Sequence, residues 1–150
     1  MTIDQKDVVG KMMLHPLLNI KCDTLHNPVI DWLARLYDKD TREIVVPARG
    51  RIPVNEESCY RIMGLPRGDR DVVYAMDSEA ANELAGEMFG VDGPTPKTTR
   101  VATILSGIKS HGAKFKRVWL MYANCTVLAP TTSNTVSSRC YSFLVSSYVL

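Results

Sequence analysis

After Asp92 the chain contains no acidic residue: all 16 Asp and Glu lie at or before that position, while basic residues continue as far as Arg139. Because the whole chain carries a net charge of only +2, an acidic first part is set against a purely basic second part. Such asymmetry suits two halves of one domain that neutralise each other, or an anionic partner on the second half. Long apolar runs are absent too. The longest, Val118 to Ala123, is far short of the roughly 20 residues of a membrane-spanning helix, so neither a transmembrane helix nor a membrane partner is expected. The first residues include Asp4, Lys6 and Asp7, which fit neither the basic-then-apolar plan of a secretory signal nor the acid-poor plan of a transit peptide. A nuclear or cytoplasmic rather than secreted protein is expected.

Histidine and cysteine are scarce, with 3 and 4 copies. Cys22, Cys59, Cys125 and Cys140 form no Cys-x-x-Cys pair and have no histidines at zinc-ligand intervals, so no metal is expected. They read as small core hydrophobes kept reduced, with Cys140 the one placed for exposure. Cys22 with His15 or His26, and Cys125 with His111, are the conceivable nucleophile pairs. Neither has a supporting acid, and a cysteine on an apolar helix is inert. Glu79, Glu83 and Glu87 share one helix side, where they read as a solvated face. Gly86, Gly90 and Gly93 lack the lysine-serine or lysine-threonine pair of a phosphate loop. Arg67-Gly68-Asp69 reads as a solvated turn. No catalytic residue, metal ligand or cofactor is assigned, and the chain is not expected to be an enzyme.

What the sequence does contain is helical periodicity. At 150 residues a single domain spanning residues 1–150 is expected. Gly10 and Pro16 weaken a helix over Val8 to Ile20. Asn27-Pro28 caps a helix in which Ile30, Leu33, Ala34 and Tyr37 repeat at helical spacing, with Trp32 and Leu36 widening the apolar face so that the helix lies deep against the core. Glu43 to Val54 predicts a small β-hairpin turning at Arg49-Gly50. Asn55 caps the next helix, with Val54 placed to staple onto Cys59; Cys59, Ile62 and Met63 face the core, and Gly64-Leu65-Pro66 closes it. Ala81, Leu84, Ala85 and Met88 define a helix ended by Gly90, and Val101, Ile104, Leu105 and Ile108 define another. Phe115 to Leu128, apolar nearly all round, predicts the central buried helix. The fold class is mainly α-helical with one small β-hairpin.

These residues resemble a known family. Leu25-His26 and Trp32-Leu33 ahead of Asp38 to Thr41, Ile52-Pro53-Val54 leading to Met63-Gly64-Leu65-Pro66, and Phe115-Lys116-Arg117 with Leu120-Met121-Tyr122, Leu128 and Pro130-Thr131-Thr132 together resemble the plant mobile domain of transposable elements. That domain also occurs in transposon-borne proteins associated with the plant SUMO-type cysteine protease family. The resemblance covers roughly Leu17 to Tyr141. It implies a mostly helical, non-catalytic accessory domain, and a truncated or domesticated copy, since similar chains continue past the proline-threonine-threonine segment.

Two candidate surfaces follow. Lys109, Lys114, Lys116 and Arg117 cluster at a helix start, where they suit an anionic partner or nucleic-acid phosphates, or face acids of the first half. Residues 139–150 form an apolar tail, uncharged from Cys140 onward, whose Tyr141, Phe143, Leu144 and Tyr148 suit a protein partner or a second copy of the chain. The function expected is therefore a non-enzymatic protein-interaction module derived from a plant mobile element, regulating or interfering with a partner. A nucleic-acid-binding accessory domain is the alternative, and a cysteine-dependent hydrolase a remote one. Purified protein is expected to leave ubiquitin-like conjugates uncut; turnover that disappears when one of the four cysteines becomes serine overturns this.

Overall fold

In a computed structural model of the protein, which describes residues 1–20, 26–68, 78–90, 93, 95–130 and 132–145, the chain is mainly α-helical with one small antiparallel sheet. It divides into two compact units, Met1–Met12 with Arg70–Leu150, and Met13–Asp69.

The larger unit is built around helix α6, Ala113–Ala123. Its apolar residues fall on several sides of the helix, and burying them all requires neighbours around it. Phe115, Val118 and Met121 are fully buried and Trp119 nearly so. Those neighbours come from distant parts of the chain. Helix α1, Ile3–Lys11, begins earlier than glycine and proline placement suggests, because Thr2 and Gln5 form a reciprocal capping box. The Gln5 side chain, itself buried, also donates to the carbonyls of Ile108 (2.8 Å) and Ser110 (3.0 Å), tying α1 to the end of helix α5, Thr98–Gly107. Helix α4, Ser78–Phe89, buries Ala81, Leu84, Ala85 and Met88 as their spacing predicts, and Gly90 follows in the left-handed conformation.

Past α6 the chain widens into a π turn, Asn124–Leu128, closed by the Ala129 N–H donating to the Asn124 carbonyl at 2.8 Å. The return segment is fixed by backbone bonds from Val136 N–H to the Pro96 carbonyl (2.9 Å) and from Thr98 N–H to the Asn134 carbonyl (3.1 Å). A 3-10 turn, Ser138–Tyr141, and a short helix α7, Ser142–Val145, then re-enter the core. Tyr141 and Leu144 are each only 1% exposed, and Phe143 packs against the same cluster. The expected free tail is therefore corrected as far as Leu144: its large side chains are spent on the chain's own interior. Tyr148 lies outside the described residues.

The smaller unit holds a 3-10 turn (His15–Asn19), helix α2 (Asn27–Leu36), strands β1 (Tyr37–Asp38), β2 (Glu43–Val46) and β3 (Gly50–Pro53), and helix α3 (Glu56–Met63). The hairpin appears where β-branched residues predict it, in the register Ile44 opposite Ile52, and β1 adds a third antiparallel strand on the other side of β2. Asp38 organises the β1–β2 turn: its carboxylate accepts from the Asp40 N–H at 2.9 Å, which holds it below the ordinary carboxylate range. Asn55 caps α3 by accepting from the Ser58 N–H at 3.0 Å, and Gly64 closes it at φ +64° with Pro16 against its face.

The burial expected of these two helices is not observed. Trp32 is half exposed, Ile62 is 79% exposed, and Val54 and Cys59 are exposed as well. A small three-stranded sheet has too little area to cover helix faces this wide.

Shortening a side chain packed as Leu144 is leaves a cavity. Leu144→Ala is expected to lower unfolding stability by about 2–5 kcal/mol, measured by urea denaturation; an unchanged midpoint shows that the segment is not part of the core.

Candidate functional site

The basic cluster is not a free set of charges. The Arg117 Nη1 donates to both carboxylate oxygens of Glu87 at 2.9 Å, with the Arg117 side chain 17% exposed. An acid of the first half therefore sits opposite α6, which explains how positive charge is tolerated at that helix start. Glu79 and Glu83 stay exposed on α4. Lys114 is exposed on the first turn of α6, Lys116 is half-buried, and Lys109 lines a cleft of about 360 Å³ with Met1, Thr2, Gln5 and Leu105. With its one guanidinium occupied, the cluster offers lysines at separate places rather than a single phosphate grip. Arg67 is likewise engaged: it pairs with Glu57 and lies over the Tyr60 ring at 5.5 Å. Asp69 of the same tripeptide lies outside the described residues.

Among the described residues, most of the exposed large hydrophobics lie in the smaller unit. In α2, residues 29, 30, 32, 33 and 36 occupy one helical face. The helix packs on β2, which half-buries Leu33 and Leu36 while Val29, Ile30 and Trp32 remain 53%, 40% and 50% exposed. Helix α3 adds exposed Tyr60 and Ile62. No described residue from Met13 to Gly68 is fully buried. Periodicity shows that α2 has an apolar face; it does not show what covers that face, so the expectation of a buried helix assigned it to the core.

A second grouping lies inside the larger unit. Cys125, on the π turn, and Cys140, on the 3-10 turn, are both buried in the main apolar cluster. Cys140 was the cysteine expected to be exposed; the re-entry of its turn into the core buries it. The buried Asn124 amide donates to the Cys140 sulfur at 3.1 Å, and the Cys125 sulfur lies 4.0 Å from that of Met121. The neighbouring Cys125 thiol holds Cys140 below the usual thiol range, at about 7, with Asn124 and the Ser137 backbone assisting and burial opposing. The nearby Cys140 thiol, and burial, push Cys125 up. Burial also raises the Tyr141 phenol, with the two thiols adding to it, and its hydroxyl has no hydrogen-bond partner. His111 is exposed on the turn before α6, and Cys22 lies outside the described residues. Among the described residues no group of three or more His, Cys, Asp or Glu is placed to hold a metal ion, and no helix is long and apolar enough to cross a membrane.

Sequence reading missed this grouping because Cys125 and Cys140 sit on different elements, far apart in the chain. The one available signal was an asparagine beside a cysteine in an otherwise apolar helix, since a buried amide demands a partner.

The Cys140 shift predicts a pH dependence. Its folded value lies below the ordinary thiol value of 9.0, so the stability it contributes is complete above about pH 9 and is lost as pH falls through about 7. Unfolding stability across that window is expected to rise with pH by at most about 1.4 kcal/mol per unit. Cys140→Ser is expected to flatten the rise in denaturant titrations, and an unaltered slope contradicts the assignment.

No curated protein and no solved structure matches this chain. A family model described as a domain of unknown function (DUF8566) matches residues 1–147, which takes in both compact units, and the chain therefore belongs to the DUF8566 family.

Proposed function

We propose that the chain is a non-enzymatic protein-interaction module whose contact residues are the apolar face of α2 and the exposed apolar residues of α3, both in the smaller unit. The observation that carries this reading is the exposure of Val29, Ile30, Trp32, Tyr60 and Ile62 in a unit whose described residues include none that is fully buried. A large apolar side chain is worth roughly 1.5–3 kcal/mol when fully buried, so covering the exposed parts of several such residues is a substantial drive to associate. Contiguous apolar patches on a soluble surface mark interaction sites, and tryptophan and tyrosine at their centres are typical anchors. The resemblance to the plant mobile domain supports the same reading, a transposable-element-derived accessory domain that regulates or interferes with a partner in the nucleus or cytoplasm. Nucleic-acid binding is less well supported, because Arg117 is committed to Glu87.

A second copy of the chain is the simplest partner. Sedimentation of the full-length protein at micromolar concentration is expected to show a species larger than monomer. Trp32→Ser combined with Ile62→Ser is expected to shift it to monomer without loss of helical circular dichroism. The fluorescence difference between the native protein and Trp32→Phe isolates the Trp32 emission, which is expected to move to shorter wavelength as the protein associates. A monomer at every concentration whose Trp32 emission is already blue-shifted and shielded from acrylamide shows the face covered within the chain itself, which overturns the proposal.

A further inference from the structure

We infer that Thr95 is a phosphorylation site whose phosphate latches onto the cationic cleft at the start of α5. The phosphate comes from ATP through a proline-directed serine/threonine kinase, and the receptor is a cleft that Thr95 itself lines.

Sequence and placement both single out the acceptor. Of the 8 prolines, Pro96 is the one preceded by a serine or threonine. Thr95 and Pro96 lie outside any helix or strand, with Thr95 exposed and Pro96 buried. A residue before proline is biased toward extended backbone, which presents its side chain to an enzyme. Thr95 also lines an open cleft of about 520 Å³ with Pro96, Lys97, Thr99, Arg100 and Thr103. Two of these side chains are cations, three are threonines, and none of the described lining residues is an acid. A neutral hydroxyl gains little from such surroundings. A phosphothreonine carries about −1.5 to −2 charge at pH 7 and makes roughly one to three charge-assisted hydrogen bonds to nearby cations. The start of α5, which no side chain caps, adds its positive end to the attraction. Because the cleft is open, a dissolved anion loses its freedom to bind there. A phosphate tethered at the cleft's own wall is already at high effective concentration.

In the transfer, the Thr95 Oγ1 forms a bond to the γ-phosphorus of ATP, the bond from that phosphorus to the β–γ bridging oxygen breaks, ADP leaves, and the hydroxyl proton passes to the kinase's base. The stretch that carries Thr95 also holds the return segment. The Pro96 carbonyl accepts from the Val136 N–H at 2.9 Å, Lys97 is bridged to Thr135, and the Thr98 N–H donates to the Asn134 carbonyl at 3.1 Å. With Pro96 buried, the kinase takes up Thr95-Pro96 when this irregular stretch lifts, an opening that costs less than unpacking an interior helix. When the stretch settles back, the phosphate engages Lys97 and Arg100 and makes the next opening harder. The return segment, and behind it the 3-10 turn and α7, then opens less often.

The test treats the full-length protein with ATP and a purified proline-directed kinase and maps the product by mass spectrometry. Phosphate is expected on Thr95, and Thr95→Val is expected to remove it. Phosphorus NMR then reads the latch. The second ionisation of an unconstrained phosphothreonine lies at about 6; in the folded phosphoprotein it is expected at least about half a pH unit lower, because neighbouring cations favour the dianion. It is expected to return to the unconstrained value in urea, and in Lys97→Gln combined with Arg100→Gln. Limited proteolysis between Ser137 and Val145 is expected to slow about threefold or more on phosphorylation. The inference is overturned if the native protein takes up no phosphate at Thr95, if the folded phosphoprotein titrates as the urea-unfolded one does, or if proteolysis is unchanged. Comparing folded with urea-unfolded phosphoprotein needs no substitution, so a variant that fails to fold leaves the result intact. Because Thr95 belongs to the larger unit, the outcome is independent of the α2 surface.

Discussion

Burial of α6 on nearly all sides is the constraint on which the larger unit depends. A helix with Phe115, Val118, Trp119 and Met121 pointing in different directions cannot be satisfied by one neighbour. It recruits α1 from the start of the chain, α4 and α5 from the middle, and α7 from beyond the π turn. Polar links then set the angles. Gln5 fastens α1 to the carbonyls that end α5, and the Glu87–Arg117 pair joins α4 to α6. The hydrophobic term supplies most of the free energy, while these bonds choose among the ways of packing.

The two units solve the burial problem differently. The larger has a contiguous cluster running from Ala81 to Leu144. The smaller has well-formed local structure, with a capped α3, a registered three-stranded sheet and an Asx turn at Asp38, yet no interior among its described residues. Small assemblies bury too little area to be self-sufficient, and the surplus appears as exposed tryptophan, tyrosine and isoleucine. That surplus, rather than the apolar C-terminal segment, is what supports an interaction role.

Among the described residues, the main apolar cluster is interrupted by polar groups beside Asn124. Cys125, Cys140, Asn124 and Tyr141 form a polar island where an apolar cluster would otherwise be continuous. Each is unremarkable in its own element. Low dielectric surroundings amplify both the donation from Asn124 to Cys140 and the cost of leaving the Tyr141 hydroxyl alone.

By itself the sequence determined the local pieces. The spacing of Ala81, Leu84, Ala85 and Met88, the cap at Asn55, the glycine at position 64, the β-branched run from Ile44 and the all-round apolar character after Phe115 each act over a few residues, and each produced the element expected. The Thr2 to Gln5 capping box is equally local, but the sequence reading passed it over, and it sets the true start of α1. Only the tertiary structure decided which apolar faces are covered, because coverage depends on partners far away in the chain. It sent Tyr141 and Leu144 inward, since α6 needed their area. It left Trp32 outside, since the sheet packed on α2 was too small to cover that face, left Ile62 exposed on α3, and brought Cys140 to Asn124 by folding the C-terminal segment back across the core.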